Sequence, residues 1–321
     1  MENYGTNTLR GMDSGRSLKS RKKKRRRIIL LILGIILAIL IFFGADLFLR
    51  LRAALEKAHQ PVDTIDLREE EAILGDDPIS ILILGIDRDG PHDQGRSDTM
   101  MLATINPNTN STYLLSIARD TQMYIVGNGS VTRANHAYAY GGAQMSINTV
   151  QNFLNVPIDY YVELDMVAFG PLIDAVGGVT VYNDTLAFSA GGYDFPLGYV
   201  DLTGNSALAY VRMRMQDPHG DFGRQQRQRA VIGALSSDLA GIGTITRYRD
   251  LLDVAGGNML TDLTLNDILG ISTGYTAALR NITDLEMRGS GQMINGMSLI
   301  VVSDQERMEI SNQLRRHLEL D

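Results

Sequence analysis

The chain has 321 residues, a formal net charge of -7 and no cysteine. A hydrophobic fraction of 44% excludes a mainly disordered chain and is enough for one large core, which we expect in a single domain. The lack of cysteine excludes disulfides and thiolate metal sites. Residues 1–27 carry ten lysines and arginines but only two acids, so the remaining residues sum to -15 and are not expected to bind nucleic acid.

The basic run "RKKKRRR" (21–27) leads directly into an uncharged apolar segment, "IILLILGIILAILIFFGA" (28–45). As a helix this segment would span about 27 Å, and residues 47–49 extend it toward the roughly 30 Å hydrocarbon core of a bilayer. We therefore predict one transmembrane helix over residues 28–49, an uncleaved anchor in the cell membrane. The positive-inside rule puts residues 1–27 in the cytoplasm and the chain after residue 50 outside. A cleaved signal peptide and a buried core helix are the alternatives, and the length of the segment favours the anchor.

A polar stretch over residues 50–77, with "REEEA" and "GDDP", predicts a linker or stalk before an extracytoplasmic domain of residues 78–321. The domain opens with "ISILILGID" (79–87), an apolar run too short for a typical helix and rich in β-branched residues, which predicts a buried central strand. "TMMLATINPNTNSTYLLSIARD" predicts a hairpin around "NPNTN". Its second strand would deliver Arg119 and Asp120 at its end.

Helical spacing follows in "AQMSINTVQNFLNV" (143–156) and in "LDMVAFGPLIDAVGG" (164–178), where Asp165 is a capping residue and two glycines end the helix. Residues 221–240 predict another helix. "SLIVV" predicts a strand, followed by a capping box from Ser303 to Glu306 and a closing helix. Strands that alternate with helices predict an α/β fold, in which a mixed central sheet is covered by helices on both sides.

The cations after residue 27 are nineteen arginines and a single lysine, Lys57. Guanidinium groups suit phosphate or carboxylate recognition, although a compositional bias toward arginine would give the same count. On the helix from residue 221, Arg224 and Gln228 continue the apolar stripe of Val231 and Leu235, so both are predicted to face the core and to need partners. Arg227 would lie near the edge of that face and Arg229 off it. A solvated first turn is the alternative.

Arg212 and Arg214 alternate with Val211, Met213 and Met215 in "YVRMRM". In an extended segment both guanidinium groups would leave the same side of the backbone. Two like charges on one side predict a shared anion.

Asp87 ends the predicted central strand, and Asp98 begins the next one. Two carboxylates on adjacent strands, without cysteine or a zinc-type histidine pattern, suit a hard cation such as Mg2+ (or Mn2+), which completes its coordination shell with phosphate and water. Ordinary Asp-rich turns are the alternative. The five histidines show no spacing for zinc or for a catalytic dyad, which predicts surface or loop positions for them.

Seven segments resemble, in order and spacing, the LytR-CpsA-Psr family of membrane-anchored cell-wall phosphotransferases. They are "LILGIDR", "GRSDTMMLATINPNT", "LLSIARDT", "ANHAYAYGG", "PIDYYVELDMVAFGPLIDAVGGVTV", "ALAYVRMR" and "GDFGRQQRQ". The resemblance covers about residues 79–240 and the N-terminal anchor. It implies an α/β/α sandwich on the outer face of the membrane. It also implies transfer of a glycopolymer from a polyprenyl-diphosphate carrier to a peptidoglycan hydroxyl, with release of polyprenyl phosphate.

The resemblance also assigns roles to individual positions. Asp87 and Asp98 match the family's magnesium-binding aspartates, and Asp221 matches an acidic position that helps the acceptor hydroxyl to lose its proton. The diphosphate-binding set matches Arg96, Arg119, Arg212, Arg214, Arg224 and Gln228. Two positions depart from the family pattern. Ala118 stands where proline is usual, and Arg133 stands where lysine is usual.

The implied chemistry is phosphoryl transfer, in which the protein mainly positions groups and stabilises charge. Arg119 and Arg224 would stabilise charge on the departing lipid phosphate. Asp221 would act as base or only orient Arg224, because a carboxylate is a weak base unless burial disfavours its charge. A polyprenyl chain needs an apolar groove, which we expect between the helices of residues 143–156 and 164–178 and the sheet. Ordinary core packing is the alternative for its candidate lining, Phe153, Leu154, Val167, Phe169, Leu172, Ile173 and Val176.

Two other functions remain open at this point. A membrane-anchored regulator or scaffold could bind polyprenyl phosphates without turnover, although it would not need the two metal carboxylates. A diphosphatase would use water in place of peptidoglycan. The sequence names neither the glycopolymer nor the acceptor hydroxyl.

Overall fold

The computed structural model describes Phe42 and residues 44–320, apart from residues 64, 66, 69, 89–93 and 240–243. The chain divides into two units, residues 1–50 and residues 51–321. The predicted cytoplasmic tail (1–27) and most of the predicted transmembrane helix (28–41 and residue 43) lie outside the described residues. Within the described part of the chain, no helix has both the length and the apolar character needed to cross a bilayer.

The second unit alternates strands and helices, as the sequence predicts. Its strands are β1 (Ile79–Asp87), β2 (Arg96–Asn106), β3 (Ser111–Ser116), β4 (Gln122–Tyr124), β5 (Val131–Arg133), β6 (Tyr160–Asp165), β7 (Val179–Asn183), β8 (Phe188–Ala190), β9 (Tyr193–Phe195), β10 (Gly198–Leu202), β11 (Met259–Thr261), β12 (Ile282–Glu286), β13 (Ser290–Ile294) and β14 (Met297–Val301). Its helices are α1 (51–58), α2 (His136–Leu154), α3 (Met166–Val176), α4 (Gly204–Arg212), α5 (Asp221–Leu239), α6 (Thr244–Asn258), α7 (Leu265–Gly274) and α8 (Asp304–His317).

The central sheet has six strands in the order β11-β6-β1-β2-β3-β12. β1 pairs with β2 antiparallel and with β6 parallel, so the sheet is mixed, as predicted. β2 and β3 form the predicted hairpin. The middle strands are buried because helices cover both faces. The central strand ends at the exposed Asp87, at the edge of the sheet where ligands of α/β proteins usually bind.

The two faces of the sheet carry different helices. On one face Leu82 and Leu102 pack in a core cluster with Leu154 of α2 and Leu314 of α8. On the other face Met101 packs with Ile232 of α5, and α3 lies against the same side of β1. β7 to β10, α3, α4 and α5 enclose a further cluster beside the sheet. Alternate residues of each strand thus serve separate cores.

The predicted linker of residues 50–77 lies within the packed second unit from residue 51 onward. Ala58 is fully buried, and Val62 packs against the core cluster of α2. The Arg68 guanidinium Nη2 donates to Asp159 Oδ2 at 3.0 Å. The polar composition of this stretch reflects ion pairs and turns on the domain surface, which pattern alone does not separate from a linker.

Several predicted elements have different boundaries in the structure. The segment of Arg212 is helical, not extended, because α4 begins at a capping box at Thr203 and buries Tyr210 and Val211. α2 starts seven residues earlier than its predicted start, with non-helical backbone at Gly141 and Gly142. The predicted capping box of α8 is half formed: Ser303 accepts from Glu306 N, whereas the Glu306 carboxylate accepts from Arg288 N.

Candidate active site

A β-bulge brings the two predicted metal carboxylates to one cavity. β1 and β2 pair in register until Gly85 faces Thr99, and Ile86 then faces Ser97, so Asp98 is the extra residue of the bulge. Asp87 ends β1 opposite Arg96. The cavity has a volume of about 230 Å³. It is lined by Asp87, Arg96, Asp98, Arg119, Asp120, Arg133, Asn135 and His136.

Asp98 is held by two groups from other elements. Arg119, which follows β3, forms a short ion pair with its carboxylate through Nη1. Asn135 Nδ2, from the residue before α2, donates to Asp98 Oδ1 at 3.2 Å. On its other side Arg119 faces Asp120, with Nε 3.8 Å from Oδ2, a distance too long for a hydrogen bond. Arg119 therefore lies between two carboxylates and keeps one donor unused.

Arg88 anchors the end of β1 directly after Asp87. Its guanidinium pairs with Asp165, the N-cap residue of α3, and its Nη2 lies 3.2 Å from Glu163 Oε1. The Tyr138 hydroxyl donates to the same Glu163 oxygen at 2.6 Å. Burial and this hydrogen bond raise the pKa of Tyr138. These contacts join the end of β1 to β6, α3 and α2, and they fix the position of the backbone at Asp87.

α5 brings its first turn to the same region. Arg224 is only 8% exposed and pairs with Asp221, Nη2 to Oδ1 2.7 Å. Burial lowers the pKa of Arg224, and the neighbouring charges of Arg119 and Arg214 act in the same direction. Asp221 and Asp98 oppose this shift, so Arg224 lies within reach of the charges of two carboxylates and of two other arginines. Gln228 is also 8% exposed, one turn further on, so the predicted inward face of Arg224 and Gln228 is confirmed.

Arg212 and Arg214 both remain exposed, while Met213 between them is buried. Arg212, at the end of α4, reaches Asp87 with Nη2 3.2 Å from Oδ1. Arg214 follows the helix and interacts electrostatically with Arg224. The two side chains thus approach the candidate site although the predicted extended backbone is wrong.

Arg227 and Arg229 are both buried, at 4% exposure each, which corrects their predicted placement at the edge of the helix face and off it. Arg227 donates to Met213 O at 2.6 Å and to Tyr210 O at 3.2 Å, and it pairs with Asp217 at 2.5 Å. These bonds fold the segment between α4 and α5, which carries Arg214, onto α5. Burial alone would raise the pKa of Asp217, but the hydrogen bonds from Arg227 and from His219 N lower it.

Arg229 pairs instead with β12. Its Nη2 lies 3.2 Å from Glu286 Oε1 and its Nε lies 3.3 Å from Asp284 Oδ2. These two buried arginines hold the fold together, and they are not part of the anion set. Their partners lie ten or more residues away in sequence, so helical periodicity could not identify them.

Asn135 and His136 are site residues that the sequence prediction did not include. Asn135 is the residue before α2, and His136 is the first residue of the helix. Polar residues at the start of a helix, where backbone N–H groups have no partner within the helix, are a sequence signal that could have identified them. Burial lowers the pKa of His136, and Arg133 and Arg96 act in the same direction. His317 is also not a surface group: its ring is 7% exposed and stacks on Tyr113 with a centroid distance of 4.0 Å.

The seven predicted groove residues do not come together. Phe153 and Leu154 belong to the core cluster of α2. Phe169, Ile173 and Val176 belong to the cluster beside the sheet, and Val167 is 71% exposed. Leu172 is partly buried on α3. α2 and α3 lie on opposite faces of the central sheet. The predicted lipid groove between these two helices is therefore not formed.

Eight buried side-chain atoms find no hydrogen-bond partner among the described residues, and Arg119 Nε, Arg224 Nε and Asn135 Oδ1 are three of them. Buried donors and acceptors are normally paired, because an unpaired one costs about 1–3 kcal/mol. The two guanidinium donors are suited to an anion. The amide oxygen beside Asp98 is an acceptor of the type that binds a hard cation.

The chain matches the LytR_cpsA_psr family over residues 48–316 and therefore belongs to it. The polyisoprenyl-teichoic acid–peptidoglycan teichoic acid transferase TagU of Bacillus subtilis (strain 168) is 43% identical over 263 residues, 81% of this chain and 85% of TagU. The protein of the same name from Halalkalibacterium halodurans is 42% identical over 292 residues, 89% and 96% of the two chains.

Solved structures of this family share the fold. The crystal structure of B. subtilis TagU has a TM-score of 0.62 and 40% identity, and the match covers 76% of this chain and 98% of TagU. TagT bound to LIIa-WTA has a TM-score of 0.70 and 29% identity, with coverage of 82% and 100%. The predicted family and the central mixed sheet are thereby confirmed.

Proposed function

We propose that this chain transfers a teichoic-acid-type glycopolymer from a polyprenyl-diphosphate carrier to a hydroxyl of peptidoglycan. The observation that carries the proposal is the pairing of Arg119 with Asp98 and of Arg212 with Asp87, with Arg224 within electrostatic reach of Arg119 and Asp98. Relatives at 42–43% identity that are named teichoic acid transferases support it.

The anion-binding set is formed by Arg96, Arg119, Arg212, Arg214, Arg224 and Gln228, all from the second unit. A diphosphate presents several oxygens, which suits planar guanidinium groups that donate in pairs. Arg119 and Arg224 each keep a buried Nε donor without an acceptor among the described residues. We assign these two side chains to the charge that develops on the departing lipid phosphate.

A divalent cation, Mg2+ or Mn2+, fits the residues present. Asp87 and Asp98 supply carboxylates, and the unpartnered Asn135 Oδ1 supplies a neutral oxygen beside Asp98. When bound, the cation would neutralise phosphate charge as a Lewis acid. Arg212 and Arg119 pair with the two carboxylates, so binding of a metal and a diphosphate would exchange these internal ion pairs for external ones.

In the transfer step the acceptor hydroxyl oxygen forms a bond to the glycan-bearing phosphorus. The bridging phosphorus–oxygen bond breaks, and its electron pair leaves with polyprenyl phosphate. Asp221 holds Arg224 at 2.7 Å, which fits the orienting role, and it lies at the start of α5 where it can also accept the hydroxyl proton. The pH dependence of the transfer rate of Asp221→Asn separates the two roles. If Asp221 is the base, the variant loses the fall in rate at low pH that protonation of Asp221 causes, whereas loss of an orienting group lowers the rate at every pH.

The site would lie on the outer side of the cell membrane, with residues 1–27 in the cytoplasm and residues 28–49 as the anchor. The lipid tail of the donor would bind against an apolar part of the domain. Basic residues before an apolar span support this orientation. Membrane attachment keeps the enzyme in the compartment where both a lipid-linked donor and peptidoglycan are present.

The direct test uses the full-length chain with a synthetic polyprenyl-diphosphate glycan, peptidoglycan and Mg2+. We expect polyprenyl monophosphate and covalently modified peptidoglycan in equal amounts. Monophosphate without modified peptidoglycan would indicate a diphosphatase instead. Binding of the lipid without any product would indicate a non-catalytic regulator or scaffold.

A further inference from the structure

A two-stranded sheet beside the catalytic domain core presents two tyrosines to solvent. β7 and β10 pair antiparallel, with Tyr182 directly opposite Tyr199. Val181 and Val200 of the same strands face inward into the cluster with α4. The outward face therefore displays Tyr182 and Tyr199, followed along the strands by Thr180 and Asp201.

The two rings contact each other. Their centroids are 5.0 Å apart with an interplanar angle of 68°. Tyr199 is 79% exposed and Tyr182 is 59% exposed. At the next pair the Thr180 hydroxyl donates to Asp201 Oδ1 at 2.6 Å. Exposed aromatic faces beside fixed polar groups are an amphipathic surface, of a kind enriched where proteins bind partners.

The charge around this face excludes anionic partners. Strands β7 to β10 contain no lysine, arginine or histidine. Asp201 lies on the face itself, Asp184 is exposed directly after β7, and Asp194 is exposed on β9. An acidic surface repels a polyphosphate chain and also the anionic headgroups of a bilayer. An uncharged ligand with apolar C–H surfaces and hydroxyl groups meets no such repulsion.

The face is continuous with the elements that carry the candidate site. Gln226 of α5 donates to Asp184 Oδ1 at 3.4 Å, just after β7. Gln216, between Arg214 and α5, donates to Ser189 O of β8 at 2.9 Å. The strand pair is therefore fixed against the same segment that positions Arg214, Asp221 and Arg224. A polymer held on this face would therefore be bound to a sheet that contacts α5, the helix of Asp221 and Arg224.

We propose that the outer face of β7 and β10 binds the uncharged glycan strand of the acceptor, with sugar rings stacked on Tyr182 and Tyr199 and hydroxyl groups on Asp201. This inference rests on the proposed function for the identity of the acceptor. It gives the two polymers different surfaces: the arginines bind the anionic donor, and the acidic aromatic face binds the neutral acceptor.

The test is co-sedimentation of the full-length chain, in detergent micelles, with insoluble peptidoglycan sacculi stripped of teichoic acid. We expect Tyr182→Ala/Tyr199→Ala to weaken binding roughly tenfold, as loss of aromatic anchors does at other interfaces. Tyr182→Phe/Tyr199→Phe keeps both rings and should bind nearly as well as the wild type. Tyr124→Ala, at a tyrosine 50% exposed on β4, is the matched control and should change nothing.

Unchanged sedimentation of the alanine double variant, with its folding confirmed by circular dichroism, would overturn the proposal. Slower hydrogen exchange of residues 179–202 in phosphatidylglycerol vesicles, without any effect of sacculi, would assign the face to the membrane and overturn it as well. Because no donor is present, the result is independent of turnover. Tyrosine-dependent sedimentation by a chain that forms no transfer product would support this inference while rejecting the proposed function.

Discussion

Arg212 Nη2 lies 3.2 Å from Asp87 Oδ1, although 125 residues separate the two in sequence. The pair joins the last residue of α4 to the end of the central strand, and Arg119 makes the corresponding pair with Asp98. Each proposed metal carboxylate is thus neutralised by one of the proposed anion-binding arginines. A divalent cation and a diphosphate can replace these pairs together without leaving a net charge in the site.

The first prediction concerns Arg212. Its side chain is 48% exposed, so Arg212→Ala should leave the free energy of unfolding nearly unchanged. We expect kcat/KM for transfer to fall on the order of 100-fold, because one preorganised donor to the diphosphate is lost. The measurements are steady-state kinetics and urea unfolding. Arg288→Ala, at an exposed arginine after β12, is the control, and equal losses in both variants would contradict the assignment.

The second prediction concerns metal removal. Chelation with EDTA should abolish transfer, and Mg2+ or Mn2+ should restore it. Asp98→Asn keeps the size of the side chain but removes one charge, so Mn2+ binding followed by electron paramagnetic resonance should weaken at least about tenfold.

The control for this experiment is Asp304→Asn, whose carboxylate is 88% exposed at the start of α8. Its Mn2+ affinity should equal that of the wild type. Activity that survives EDTA, or Mn2+ binding that is insensitive to Asp98→Asn, would remove the cation from the proposed mechanism.

The third prediction concerns the bonds from Arg227 to Tyr210, Met213 and Asp217. Arg227→Met removes two bonds to the α4–α5 segment and one to Tyr210 of α4, and it leaves the fully buried Asp217 carboxylate without its charged partner. We expect the free energy of unfolding to fall by about 3–5 kcal/mol. The measurement is urea unfolding at pH 7.

A double variant, Arg227→Met/Asp217→Asn, serves as the comparison because it removes the stranded charge as well. It should recover part of the lost stability, and the double-mutant cycle gives the coupling between the two groups. Strictly additive losses would show that the two side chains do not act as a pair.

The fourth prediction concerns pH and His317. Its Nδ1 lies 2.7 Å from Thr104 Oγ1 and its Nε2 lies 2.9 Å from Ser111 Oγ, which attaches α8 to the β2–β3 hairpin. Burial lowers the pKa of His317, and Glu319 opposes this shift. The unfolded chain then binds a proton more readily than the folded one, so stability should fall as the pH drops below the ordinary histidine value of 6.5.

Urea unfolding at pH 8 and pH 5.5 checks this sign. His317→Asn should cost about 1 kcal/mol at pH 8 through lost hydrogen bonds, and its stability should depend less on pH than that of the wild type. His136→Asn is the necessary comparison, because burial also lowers the pKa of His136. The same pH dependence in wild type and His317→Asn would exclude His317 as the cause.

Much of the secondary structure follows from local patterns. The run of residues 79–87 forms β1 with the predicted bounds, and Asp165 caps α3 as expected, accepting from Val167 N at 3.0 Å. The inward placement of Arg224 and Gln228 follows from the period of the helix. The lipid groove could not be predicted from these patterns. Periodicity indicates that a residue is buried, but it does not indicate which face of the sheet its helix covers.

The sequence by itself determined which residue types are available and, for β1 and α3, where the element begins and ends, since periodicity and capping act over a few residues. Only the tertiary structure decided that a bulge presents Asp98 to the cavity of Asp87, and that Arg227 and Arg229 serve the fold while Arg212 and Arg224 converge near the site. The physical reason is that the partner of a charged group is set by contacts through space between distant segments, and burial then decides how strongly the pair interacts.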